Sequence, residues 1–431
     1  MPALVARTRK RVFAASVLAL LLVGGRLLWV QGLVYPVHIS GGSMAPRLLG
    51  RHLEVTCGDC GLRWAYDVEQ KSATGSVVCQ NCGRGAASQS AGRQGIAGQR
   101  VLIDRGAFLW RRPRRWELVA LQDQIEPDRL EVKRLVGLPS EEIEIRGGDV
   151  YQSGRIVRKS LSELRDMAIL VHDNSRLPPG EQESRWAADR ESVSGWRRHE
   201  RGFLFVPPGS ESGTLDWLSY RHRACFAGPL LGQEGPVLDN YGFNQGVSRE
   251  LHPVSDLLLR CVLSECRGSG RIAWMAHDGQ QAWILEWAPM TGEVSLRIGK
   301  QRIAAARARR IQDRTATVEY SVCDDQLCFA LDGTTVLEHP YSPEDSPLQP
   351  TSRPLAIGGT GMQFRLERLQ VFRDVFYLDP ACRGLVWSHA VLAEDEYLVL
   401  GDNAPISRDS RHWTNPGVKH KSLVGKVLTP F

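Results

Sequence analysis

Two residues whose types can carry a reaction stand far apart in the chain. Ser43 lies in Ile39-Ser40-Gly41-Gly42-Ser43-Met44-Ala45-Pro46, and Lys133 in Val132-Lys133-Arg134-Leu135-Val136-Gly137-Leu138-Pro139. A serine hydroxyl attacks a carbonyl only once a base takes its proton. Histidine is the usual base and the chain has eleven, yet none sits in a recognisable catalytic motif and no Gly-x-Ser-x-Gly elbow surrounds Ser43. Lysine serves only when neutral, so its pKa must fall from ~10.4 toward the working pH, which requires burial among apolar groups away from anions. Val132, Leu135 and Val136 provide that setting. By strand alternation Glu131 shares a face with Lys133 and would raise its pKa, so it is expected to point past the site toward solvent. Alone, Lys133 reads as an exposed strand lysine; the flanking motif and Ser43 together give it a role.

A second set of residues points to a metal. Cys57-Gly58-Asp59-Cys60 and Cys79-Gln80-Asn81-Cys82 are two C-x2-C pairs separated by residues 61–78. They place four thiolates on two tight turns, which suits tetrahedral Zn²⁺ in a structural role, because four thiolates leave no open position for catalysis. A pair of disulfides is the competing reading if the segment lies outside the cytoplasm. No cofactor is expected for catalysis itself. Of the remaining cysteines, Cys225, Cys261, Cys266, Cys323, Cys328 and Cys382, the pairs Cys261/Cys266 and Cys323/Cys328 are close enough in sequence to bridge, or all are buried thiols.

The elements that must position these residues fall into several parts. At 431 residues the chain exceeds the ~250–300 residues at which single cores stop growing, so two or more domains are expected. Its net charge of +6 is modest, with arginines scattered among acids, which speaks against nucleic acid as a partner. After a basic tail (1–11, with Arg7, Arg9, Lys10 and Arg11), residues 12–35 are largely apolar. As a helix they would span roughly 36 Å at ~1.5 Å per residue, enough for a single transmembrane pass, with the following chain exported by the positive-inside bias. A cleaved secretory signal is the alternative, given Arg26.

Residues 36–56 then hold Ser43, and residues 57–98 form a zinc-ribbon-like insertion with a Gly/Ser/Ala-rich linker. Residues 99–165 read as short alternating strands around Lys133. Within them, Phe108-Leu109-Trp110 followed by Arg111, Arg112, Arg114 and Arg115 is either a membrane-surface contact or a set of solvated arginines beside an aromatic cluster. Residues 166–378 contain seven β-runs, Leu257 to Val262, Arg271 to Met275, Ala282 to Trp287, Val294 to Ile298, Val318 to Val322, Leu327 to Leu331 and Phe364 to Phe372, which predict an inserted, jelly-roll-like β-sandwich. Trp274, Trp283 and Trp287 on these runs are read as core rather than a glycan platform. The fold class is therefore mainly β.

Ser43-Met44-x-Pro46, Lys133-Arg134-x-Val136-Gly137-Leu138-Pro139 and Gly401-Asp402-Asn403…Ser407-x-Asp409-Ser410-Arg411 occur in the order and style of bacterial type I signal peptidase, which the chain resembles over residues 10–56, 99–165 and 380–431. The resemblance implies that Ser43 attacks the scissile carbonyl, that Lys133 is general base and that Ser407 orients the lysine amine. Asp409 and Arg411 would hold that loop as an ion pair, and Arg134 would pair with Asp402. The Ser43 N–H would bind the oxyanion. Relatives often add a hydroxyl two residues earlier, where this chain has Gly41, so Ser40 and a backbone N–H stay open as second donor. Ala404-Pro405 also departs from the charged residues that relatives often carry.

By the same resemblance the substrate is a signal-peptide-bearing preprotein with small residues at the first and third positions before the cut. The location implied is the cytoplasmic membrane, with the catalytic domain on the extracytoplasmic side and the lipid bilayer as partner. A ligand for the sandwich is left open. Two other readings stand beside this one. A self-cleaving or regulatory Ser/Lys peptidase is disfavoured by the anchor and the lack of a DNA-binding helix pair. An inactive tethered protein whose ribbon and sandwich bind a partner or glycan is disfavoured by the joint presence of Ser43, Lys133, Ser407 and Asp409.

Overall fold

The computed structural model describes residues 2–26, 32–68, 77–86, 95–124, 126, 128–178, 184–190, 193–200, 202–209, 213–225, 232–311, 314–381, 386–388 and 391–428. Sequence distant in the chain meets in one seven-stranded sheet, ordered Val34–His38, Arg100–Asp104, Leu423–Leu428, Leu118–Gln122, Leu130–Gly137, Glu396–Leu400 and Val418–Lys419. Each neighbouring pair with a resolved register is antiparallel. The last strand lies between two of the earliest, so both ends of the chain are needed to complete the sheet.

Alternation gives this sheet two buried faces. Leu118 and Ala120 join Ile39, Met44, Leu48, Val101 and Ile103 on one side, while Val119 and Leu121 join Leu135, Tyr397 and Val399 on the other. A small sheet of Ile143–Arg146, Asp149–Gln152, Arg155–Ile156 and Val386–Ser388 packs alongside. The short helix α2 (Leu161–Met167) follows, started by a capping box in which the Ser160 side chain accepts from the Glu163 N–H and Glu163 returns to the Ser160 N–H.

The inserted region is a thirteen-stranded sheet folded over itself. Two long strands, Leu257–His277 and Leu355–Arg373, run together through it, with register shifts between Ser264 and Arg267 and between Gly268 and Arg271. These bulges bend the pair, so that partners of one half face partners of the other. Phe329 on one layer meets Trp274 and Trp287 on the second, with ring centroids 5.4 and 5.9 Å apart. Trp274, Trp283 and Trp287 are all buried, as core residues should be. The runs expected at 257–262 and 271–275 are thus one bent strand interrupted by Gly268 and Gly270. Five more strands, Ile169–Asp173, Trp186–Ala188, Trp196–His199, Gly202–Phe205 and Asp216–Tyr220, lie in the polar approach where the sequence pattern showed none.

The expected single helix across residues 12–35 is corrected. Helix α1 covers Pro2–Arg26, and Val34–His38 is a strand paired with Arg100–Asp104, with Tyr35 opposite Ile103. The uncharged part of α1, Val12 to Gly25, spans roughly 20 Å at ~1.5 Å per residue, short of a hydrocarbon core of ~30 Å. Among the described residues no helix is long and apolar enough to cross a membrane. Residues 27–31 of the expected span lie outside the described residues.

Candidate active site

Ser43 sits on the turn after the Val34–His38 strand, and Lys133 in the middle of Leu130–Gly137. The pairing of that strand with Leu118–Gln122 sets Lys133 opposite Val119 and directs it inward. The Lys133 Nζ reaches within 3.4 Å of the Ser43 Oγ, and Lys133 is only 3 % exposed. That gap is slightly beyond the ~2.6–3.2 Å at which a base takes a proton, the looseness usual without substrate. Burial pushes the Lys133 amine below its ordinary pKa, against the opposing pull of Glu131 and Asp409.

Glu131 does not point away into solvent. Its Oε2 is buried and lies 3.8 Å from the Lys133 Nζ. The alternation that placed both side chains on one face holds, and that face is largely covered, with the Glu131 side chain 19 % exposed. Burial pushes the Glu131 carboxyl up, and Lys133 pulls it down less strongly.

Next to the base, Arg134 is buried and forms a two-pronged pair with Asp402, Nε to Oδ1 at 2.7 Å and a terminal nitrogen to Oδ2 at 2.6 Å. It also donates to the Trp116 carbonyl at 2.7 Å and to Asp166 of α2 at 3.1 Å. Asp402 therefore fixes the loop after Glu396–Leu400 to the strand that carries the base. Asp409 and Arg411 pair on the same loop at 2.8 Å through both carboxylate oxygens. Asp409 further accepts the Gly401 N–H at 2.9 Å, and Arg411 donates to the carbonyls of Leu378 and Ala404. Burial works against the charge on Asp409, but the Arg411 guanidinium more than offsets it and holds the carboxyl well below the usual range.

Ser407 lies in this loop with its Oγ buried and without a hydrogen-bond partner among the described residues, so the expected bond to the Lys133 amine is not formed here. The loop comes very close to the nucleophile. A Cβ on Gly401 would stand 2.2 Å from the Ser407 Oγ and 2.5 Å from the Ser43 carbonyl oxygen, so only glycine fits. Asn403, quoted in the sequence motif without a role, donates its N–H to the Ser43 carbonyl at 2.9 Å and its Nδ2 to the Gly42 carbonyl at 3.0 Å. Its place in the Gly401-Asp402-Asn403 motif was the signal that could have found it.

The four cysteines come together on the knuckles flanking the hairpin His52–Thr56 and Arg63–Asp67 and the pair Val77–Val78 and Gly85–Ala86. Their sulfurs all lie within 4.8 Å of one another, with Cys57 to Cys82 at 3.6 Å and Cys60 to Cys79 at 3.5 Å. Those are not disulfide lengths. A tetrahedron with Zn–S of ~2.3 Å has edges of about 3.8 Å, which the cluster matches. The four cysteines are close enough to hold a metal ion and compatible with structural zinc. Cys225, Cys261, Cys266, Cys323 and Cys328 form no disulfide among the described residues, so the local bridges are not formed, and Cys382 lies outside those residues.

The family model described as signal peptidase, peptidase S26, matches residues 9–210 and 359–431, well over half of the chain and every residue of the site. The chain belongs to this family. As an S26 member it is a peptidase, and family membership implies signal-peptide-bearing preproteins as substrates. The unmatched residues 211–358 hold most of the bent sheet. No curated protein matches the chain. Among solved structures it is similar to the carbohydrate binding module CBM66 from Bacillus subtilis (11% identity, TM-score 0.28, 44% of this chain and 95% of that one). It is also similar to the Caenorhabditis elegans galectin LEC-6 (14%, 0.21, 27% and 83%) and to Crh5 transglycosylase in complex with NAG (10%, 0.29, 47% and 82%). Scores this low carry no weight for fold or function.

Proposed function

We propose that this S26 chain is an endopeptidase that removes signal peptides from exported preproteins through an acyl-enzyme on Ser43. The observation that carries the reading is the buried Lys133 amine 3.4 Å from the Ser43 hydroxyl. Neutral Lys133 takes the hydroxyl proton as Oγ bonds to the scissile carbonyl carbon, and the oxyanion forms against the Ser43 N–H. The protonated amine then hands its proton to the leaving peptide nitrogen as the C–N bond breaks. A water, deprotonated by the same amine, hydrolyses the ester. Ser407, with its unpaired buried Oγ, is the group at hand to hold the amine when substrate draws the site together. Arg134–Asp402 and Asp409–Arg411 keep base and loop in register.

Zinc on Cys57, Cys60, Cys79 and Cys82 would hold the ribbon together and take no part in the chemistry. The work takes place at the extracytoplasmic face of the cytoplasmic membrane. Phe13, Leu18, Leu20, Leu21, Leu22 and Val23 of α1 are exposed, as are Leu109 at 69 % and Trp110 at 91 %, and a lipid surface is the partner that covers them. Arg111 and Arg115 beside this patch are paired with Glu117 and Glu141, so the apolar residues rather than those arginines offer the contact.

Purified chain incubated with a preprotein, with the product read by N-terminal sequencing, tests the proposal. One cut after a small residue is expected, lost in Ser43→Ala and in Lys133→Met. Undiminished cleavage by either variant removes that residue from the mechanism.

A further inference from the structure

The peptide group joining Gly42 to Ser43 carries both the Gly42 carbonyl and the Ser43 N–H, and its planarity makes the direction of one set the direction of the other. Two donors hold that carbonyl, the Ala45 N–H and the Asn403 Nδ2, each at 3.0 Å. The Asn403 backbone N–H takes the next carbonyl, that of Ser43. One residue thus clasps the peptide groups on both sides of the nucleophile.

A carbonyl only accepts, so Asn403 must turn its Nδ2 to Gly42, which leaves its Oδ1 facing elsewhere and in need of a donor. Asn244 meets it, Nδ2 to Oδ1 at 3.2 Å, and both asparagines are buried. The neighbours of Asn244 keep it in place. Tyr241 donates its hydroxyl to the Asp402 carbonyl at 3.0 Å. The Phe243 ring lies so close to Gly42 that a Cβ there would be 2.7 Å from it. The Phe243 carbonyl accepts the Asp67 N–H at 2.8 Å, and Gln245 clasps Val78 of the ribbon, accepting its N–H at 3.0 Å and donating to its carbonyl at 2.7 Å.

We infer that Asn244 is a positioning residue for the oxyanion-binding N–H of Ser43, acting through Asn403 and the Gly42 carbonyl. The inference rests on the Ser43/Lys133 reading above. Asn244 lies outside the residues matched by the family model, so the relay is an addition of this chain to the family site. With Gly41 in place of a hydroxyl-bearing residue, the direction of the one backbone donor matters more, and the inserted segment supplies its support.

Asn244→Ala frees the Asn403 amide to turn, whereas Asn244→Asp keeps the shape and sets an acceptor against an acceptor. With a preprotein-derived peptide, Asn244→Ala is expected to lower kcat by about ten- to a hundredfold with KM within about twofold, and the lysine limb of the pH profile in place. Asn244→Asp should fall at least as far, which a role in filling space would not produce. A peptide aldehyde, whose adduct oxygen occupies the same place, should lose affinity by the same factor, while an uncleavable peptide analogue should bind as before. If Asn244→Ala does not fold, Asn244→Ser takes the same readouts. Wild-type kcat in these variants, a change confined to KM, or unaltered aldehyde affinity overturns the relay while Ser43→Ala stays inactive. Cleavage that survives Ser43→Ala overturns the underlying reading instead.

Discussion

Glu131 sits where a carboxylate should hinder a lysine base, and removing its charge gives the sharpest test of how Lys133 is tuned. At 3.8 Å from the amine, a unit charge is worth about 4 kcal/mol at an effective dielectric of 20 and about 1 kcal/mol in bulk water. The Glu131 side chain is 19 % exposed, which puts the interaction between those limits. At ~1.4 kcal/mol per pH unit, Glu131→Gln should lower the Lys133 pKa by about one to two units. The sign follows from which form is active: the carboxylate stabilises the ammonium, its loss favours the neutral amine, and the neutral amine is the base. The rising limb of kcat/KM against pH, measured on a preprotein-derived peptide, should therefore move to lower pH by that amount, because this quantity reports the free enzyme. A limb that stays put means Glu131 carries no charge in the working range or Lys133 does not control the limb. A limb that moves up contradicts the electrostatic account outright.

Other consequences follow from the same geometry. Asp402→Ala leaves the buried Arg134 guanidinium with Asp166 as its one remaining carboxylate and should cost about 3 kcal/mol in urea unfolding, the low end for breaking a buried pair; a loss below about 1 kcal/mol would show the pair to be dispensable. Chain prepared in zinc-containing medium should carry one zinc per molecule by elemental analysis, and Cys79→Ser or a strong chelator should remove it and lower the thermal midpoint; protein that is metal-free with the same midpoint refutes the ribbon assignment. A Cβ on Gly41 would meet nothing within 4 Å, so Gly41→Ser can restore the hydroxyl common in relatives. It should raise kcat by about tenfold if that hydroxyl reaches the oxyanion, and an unchanged kcat would show that the oxyanion does not lie on that side.

The parts of this molecule legible in the sequence are those fixed by short-range rules. C-x2-C spacing brought four sulfurs together, and strand alternation put Lys133 and Glu131 on one face. What alternation cannot tell is which faces are covered, and for that reason Glu131 was expected in solvent. The long strands Leu257–His277 and Leu355–Arg373 read as separate pieces in the sequence because register shifts, one of them at Gly268, break the period of two while the pairing continues. Hydropathy alone carries the expected helix on to residue 35 because it ignores that Val34–His38 has a strand partner at Arg100–Asp104. The segment Tyr241 to Gln245 left no trace in the pattern, because its role lies in contacts with Asn403, Asp67 and Val78, all far away in the chain.

The central claim is that a neutral, buried Lys133 makes Ser43 the nucleophile. A small activated acyl ester, allowed to react across a range of pH and followed by peptide mass spectrometry, tests it most directly. One adduct is expected, on Ser43, forming at a rate that climbs along the same limb as cleavage and vanishes in Lys133→Met. Adducts on another residue, or acylation of Ser43 at an undiminished rate without the lysine, would contradict it.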